Sequence, residues 1–220
     1  MRKLELVAYN DATNFVHVVL YQFYPNIQVH QAQPVAWLVK PAFPGTRVIF
    51  RWREAYNFAW SMQEQLGSSA ASEASQMMPA DPLDPNANGA RLLYTKGALH
   101  FGAARCQGPE GSLLLEQDDS VPAGIASVGI GMAGHSVLGM PTQPNIDLIV
   151  KANPAYYIAF SWKRQGEPLD LMESMNPTPL PFSDRVFRLA ARLDTHNIWH
   201  VEPIAPATPD GTLPTGPGSA

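Results

Sequence analysis

The sequence predicts an all-β protein, an antiparallel β-sandwich or jelly-roll-like fold with long proline-rich loops and a tail. Three observations carry that expectation. Apolar and polar residues alternate over short runs, the two-residue period of a strand. These runs recur between turn residues with no repeating helical unit and no internal repeat of fixed period, as in sandwiches and barrels. Finally, 21 prolines and 16 glycines punctuate the 220 residues, and charged residues make up only 15%, against roughly 25% in ordinary soluble domains.

Leu4 to Tyr9 alternates and reads as the first strand. Phe15 to Phe23 sets Phe15, His17, Val19, Tyr21 and Phe23 on one face and Val16, Val18 and Leu20 on the other, a strand covered on both sides. Val35 to Lys40 is a third, closed by Pro41, Pro44 and Gly45. Thr46 to Arg53 alternates most clearly: Val48, Phe50 and Trp52 face one way, and Arg47, Ile49, Arg51 and Arg53 the other. Tyr56, Phe58 and Trp60 continue the period, although a covering loop is the alternative there. Residues 63–90 are polar, small and proline-rich, an excursion with one embedded strand near Ala74 to Met78.

Arg91 to Thr95, Ala98 to Ala104 and Ser112 to Gln117 read as strands joined by hairpins at Lys96-Gly97 and Gln107 to Gly111. After the glycine-rich segment Val121 to Phe160 come Gly166 to Leu171, a proline-spaced edge at Asn176 to Pro181, Val186 to Leu193 and Ile198 to Val201. Ser183 to Asp194 has a helical alternative, with Ser183 as cap and Val186, Leu189, Ala190 and Leu193 on one stripe; a strand is favoured. The expected organisation is a single β-sandwich domain over residues 1–201 and an extended Pro/Gly-rich tail over 202–220.

A chain of this length buries a core without staples. Its one cysteine, Cys106, offers no disulfide framework. A net charge of -4 and a pI near 5.8 argue against nucleic acid or anionic membrane as partner. The amino terminus lacks a signal-type apolar run and no segment approaches a membrane span, so the expectation is a soluble, cytoplasmic protein.

Gly129, Gly131 and Gly134 spell G-x-G-x-x-G, but HSVLGMP before a proline is too short for the crossover helix of a dinucleotide site. A glycine-rich strand or turn is the expected reading. Gly134-His135-Ser136 misses a nucleophile elbow because the second glycine falls one place late, at Gly139. His196 and His200 share a face on a strand but stand about 13 Å apart, too far for one metal ion. His17 is expected as a packed histidine with a satisfied hydrogen bond.

Asp84, Asn86 and Asn88, followed by Gly89, match the first half of a calcium loop. Thr95 stands where a bidentate Glu belongs and flanking helices are missing. The ordinary account is therefore an Asn/Gly turn, with a non-helical calcium site, Asp81 nearby, as the alternative. Arg47, Arg51 and Arg53 make a basic stripe that could hold an anionic sugar or an acidic partner, and Ile49 in their midst suggests a contact surface. Trp37, Trp52, Trp60, Trp162 and Trp199 could stack on sugar rings where exposed, most being expected in the core.

On VAWLVKPAFPGTRVIFRWREAYNFAWS (Val35 to Ser61), ASVGIGMAG (Ala126 to Gly134) and PNIDLIVKANPAYYIAF (Pro144 to Phe160), the chain resembles the rhizosphere-expressed RhiA-like family. More remotely it is similar to bacterial inclusion-body proteins through the S-V-G-I-G segment. The resemblance implies a non-enzymatic, all-β accessory protein, associated with quorum-regulated or host-associated lifestyles. It transfers no catalytic residues. The functional expectation is a structural or interaction protein that forms a homo-oligomer or higher assembly, or binds a protein partner, through sheet edges and tail, with no cofactor. The alternative is a lectin-like carbohydrate-binding module, calcium-assisted or not.

Overall fold

The computed structural model describes residues 2–25, 27, 29, 31–62, 75–103, 106–169 and 175–205. Every regular element among them is a β-strand. In chain order these are β1 (Lys3–Asn10), β2 (Val16–Phe23), β3 (Gln33–Pro34), β4 (Leu38–Ala42), β5 (Thr46–Arg53) and β6 (Tyr56–Ser61). β7 (Ser75–Ala80), β8 (Gly89–Thr95), β9 (Ala98–Phe101), β10 (Ser112–Gln117), β11 (Ser127–Met132) and β12 (His135–Pro141) follow. The last are β13 (Ile146–Lys151), β14 (Ala155–Phe160), β15 (Met175–Leu180), β16 (Arg188–Leu193) and β17 (Trp199–Pro203).

They assemble into four sheets, ordered β17-β16-β1-β5, β15-β14-β2-β4, β3-β12-β11-β6-β7 and β13-β10-β8-β9. The sheets adjoin in series: β4 packs by β5, β2 by β12, and β7 by β9. One apolar cluster threads all four, with Leu6 and Leu189 from the first, Val18 and Ile158 from the second, Phe58 and Val128 from the third, and Leu92 and Leu113 from the fourth. Within it, Trp37 is fully buried and donates its indole N–H to the Met132 carbonyl at 3.0 Å. Trp52 meets Trp37 edge-on at 5.2 Å and packs against Tyr156 and Phe182 at 5.6 and 5.4 Å. Such ring pairs add to burial because the positive edge of one ring faces the negative face of the next.

The all-β class holds, and the glycine segment is a strand pair with its turn. Ala133 (φ 54°) and Gly134 (φ 79°) form the two-residue turn between β11 and β12, where positive φ at both positions matches the twist of the paired strands. A Cβ on Gly129 would lie 1.9 Å from the Leu138 carbonyl oxygen, and one on Gly131 would lie 2.7 Å from that of His135 and 2.5 Å from Asn57 Nδ2. These glycines let backbones touch. A register shift between Ile130 and Gly131 adds a bulge opposite them.

Several elements differ from expectation. Two pairings are parallel, β1 with β16 and β8 with β10. β9 and β10 therefore do not form a hairpin; both flank β8. The run Val35 to Lys40 is divided, because Val35 bridges Pro168 and regular pairing resumes only at Leu38. Around Gly166 to Leu171 that bridge is joined by backbone bonds from Leu169 N–H to the Pro34 carbonyl, from Ala36 N–H to that of Glu167 and from Gly166 N–H to that of Ala36, residues 170 and 171 lying outside the described set. The excursion contains a full edge strand, β7, while residues 63–74 lie outside the described set. Residues 188–193, by contrast, form the strand favoured over the helical alternative. β17 continues through Pro203, past the expected domain end, and the tail from 206 onward is outside the described residues.

Candidate interaction face

On the first sheet, alternation sends Leu4, Leu6, Phe50, Trp52, Leu189 and Leu193 into the core and the intervening residues outward. The register then builds the outer face as cross-strand rows. Lys3 pairs Arg53; Glu5 lies between Arg188 and Arg51; Val7 lies between Ala190 and Ile49; Tyr9 lies between Arg192 and Arg47. His200 and Glu202 extend the last two rows on β17. At strand spacing the array covers roughly 14 Å by 20 Å.

Three of the cations, Arg51, Arg188 and Arg192, are held in place. Glu5 accepts from Arg51 Nε at 2.6 Å and from Arg188 Nη2 at 2.8 Å, and these two guanidinium groups, Arg51 first, keep its carboxyl below the usual range. Arg192 stacks on the Tyr9 ring at 4.0 Å and donates to Asp11 Oδ2 at 3.0 Å. Between these rows Val7 and Ala190 are each 7% exposed. Arg47 and Arg53 are exposed and carry no ion pair among the described residues. A shallow cleft of about 740 Å³ opens between Lys3, Arg51, Arg53, Phe187 and Arg188. Lys3 and five arginines thus outnumber Glu5, Asp11 and Glu202 here, in a chain whose net charge is -4.

The opposite sign collects on the fourth sheet and its loops. Glu116 and Asp147 face each other across β10 and β13 beside exposed Ile149, and Arg91 Nε reaches Glu116 at 2.7 Å. Among the described residues, Asp81, Asp84, Glu110, Asp118 and Asp119 lie in the adjoining connections, against Lys96 and Lys151 as further cations. Hydrogen bonds from the Ser120 backbone N–H and hydroxyl hold the Asp118 carboxyl low, so it stays ionised.

The RhiA family model matches residues 2–203, the stretch that spans β1 to β17. The chain belongs to the RhiA family. It is 29% identical over 173 residues to Protein RhiA of Rhizobium leguminosarum bv. viciae, covering 77% of this chain and 73% of that protein. No solved structure matches. The RhiA match takes in both charged faces and every other residue singled out from the sequence.

Of those, Arg47, Arg51 and Arg53 do share one outward face, and the fold adds Arg188, Arg192, Glu5 and Tyr9, which distance in sequence had hidden. Asp84 and Asn86 sit in an exposed turn where Asp84 Oδ1 accepts the Asn86 N–H at 2.8 Å. Asn88 is buried and clamps Gly108, donating to its carbonyl at 3.0 Å and accepting its N–H at 3.1 Å, so a cation drawn to Asn88 would compete with that N–H. Asp194 accepts from His200 Nε2 at 2.8 Å, and that bond chiefly holds its carboxyl at about 2. Burial pushes the Cys106 thiol up to about 11, which keeps it protonated and poorly nucleophilic at neutral pH. Trp37, Trp52, Trp60 and Trp199 are buried, whereas Trp162 is 71% exposed.

No helix among the described residues is long and apolar enough to cross a membrane.

Proposed function

We propose that this RhiA-family protein is a non-enzymatic interaction protein that self-associates head to tail, the arginine face of one copy meeting the acidic fourth sheet of the next. The observation that carries this reading is the segregation of charge onto two different sheets, with the basic side pre-ordered by Glu5, Tyr9 and Asp11. Guanidinium groups already fixed in place lose little further entropy on binding carboxylates, and opposite fields speed the encounter. The apolar row Val7, Ile49 and Ala190 supplies a dry centre between charged rows. A contact between unlike surfaces propagates into rings or open chains rather than closing as a two-fold dimer. The reading requires no cofactor and places the protein in the cytoplasm.

Light scattering after size exclusion tests it. The protein should exceed monomer mass at about 20 mM salt and fall towards it at about 0.5 M, where screening reaches only a few ångströms. Arg47→Glu/Arg53→Glu and Asp118→Lys/Asp119→Lys should each be monomeric alone and associate when mixed. A monomer at low salt, or assembly untouched by both charge reversals, would sink the proposal. Chelation of divalent ions should leave the mass unchanged.

A further inference from the structure

On the outer side of the second sheet, β2 and the segment after β14 open a groove of about 420 Å³, within the size range of small-molecule sites. Phe15, His17 and Trp162 line it as a row of rings, Phe15 on His17 at 5.2 Å and His17 6.1 Å from Trp162, with Phe43 packed behind Phe15 at 4.8 Å. Trp162 is the ring open to the groove and to water, at 71% exposed. Val16 and Phe160 complete a mainly apolar wall, and Asn14, Asn197 and Ser161 add neutral polar groups. Among the described residues no charged side chain lines the groove.

His17 shows how the groove is wired. Its Nδ1 is buried and has no hydrogen-bond partner among the described residues, contrary to the satisfied histidine expected from the sequence. A buried lone pair is cheaper to leave alone than a buried N–H, which favours the tautomer protonated on Nε2.

We infer that this groove is a binding site for a neutral saccharide, with one pyranose ring stacked on Trp162. A pyranose has an apolar C–H face and a rim of hydroxyls, and the groove has the complement of both. The exposed Trp162 indole meets the C–H face, while the few neutral polar groups of Asn14, Asn197 and Ser161 meet hydroxyls at the rim. An ionic ligand finds no counter-charge among the lining residues. The site is independent of the arginine face.

Trp162 also supplies the readout, since the other four tryptophans are buried. Wild-type protein, Trp162→Ala, His17→Ala and Arg47→Glu/Arg53→Glu are applied to a printed array of neutral glycans, and hits are titrated by isothermal calorimetry, with wild-type binding also followed by tryptophan fluorescence. The expected result is at least one neutral glycan that shifts wild-type emission. Affinity should drop about tenfold or more in Trp162→Ala and His17→Ala and stay unchanged in the arginine variant. The inference is overturned if no glycan binds the wild type, if binding survives Trp162→Ala, or if an apolar dye occupies the groove while every glycan fails.

Discussion

Glu5 carries two arginines on one carboxylate, and this makes it a pH-sensitive point in an otherwise permanently charged face. Its carboxyl is held below the ordinary value of 4.5 by the bonds from Arg51 and Arg188. A carboxyl depressed in the folded state contributes stability that is complete above its unfolded pKa and disappears as pH falls through the lower folded value. Glu5→Gln should therefore lower the melting temperature by about 2–4 °C at pH 7, and the gap to wild type should narrow steadily below about pH 4. Thermal melts from pH 7 to pH 3 check this; a gap that stays constant would mean Glu5 acts through packing rather than charge. The same residue shows why the site was only half legible. Arg47, Arg51 and Arg53 announce themselves by spacing on one strand, whereas Arg188 and Arg192 join them only because β16 runs alongside β1 from the far end of the chain.

At the level of elements, the hairpin of β11 and β12 depends on two different kinds of small residue. Gly129 is needed for proximity, since its missing Cβ is where the Leu138 carbonyl oxygen lies. Gly129→Ala should destabilise the protein by about 1–3 kcal/mol or abolish soluble expression. Ala133 is instead a residue in a conformation it dislikes, with φ at 54° in the turn. Ala133→Asn should stabilise by about 0.5–1 kcal/mol, because asparagine tolerates that region. Urea titrations of both variants should move in opposite directions. Alternation located most strands correctly, β5 above all, because a strand half in the core writes its period into the sequence. Pairing partners were less legible: nothing in Ser112–Gln117 says that it lies parallel to β8 instead of folding back on β9. The bridge from Val35 to Pro168, which divides an apparently continuous run, is likewise a contact across the molecule that no local pattern encodes.

For the molecule as a whole, a modest net charge of -4 conceals a strong separation of sign. Composition predicts avoidance of nucleic acid from that total, but the field a partner meets is local, and the first sheet presents cations while the fourth presents carboxylates. Self-association should therefore weaken with salt far more steeply than the net charge suggests. The parallel pairing of β1 with β16 adds a constraint in time. Glu5 waits for Arg188, a separation that at about 5–20 residues per second amounts to roughly 10–40 s of synthesis. Throughout that interval β1 can pair with β5 alone, its other edge open, and the cation array is incomplete. Only a chain translated past β16 owns the complete face, so the proposed assembly would begin with finished molecules and bypass fragments still on the ribosome.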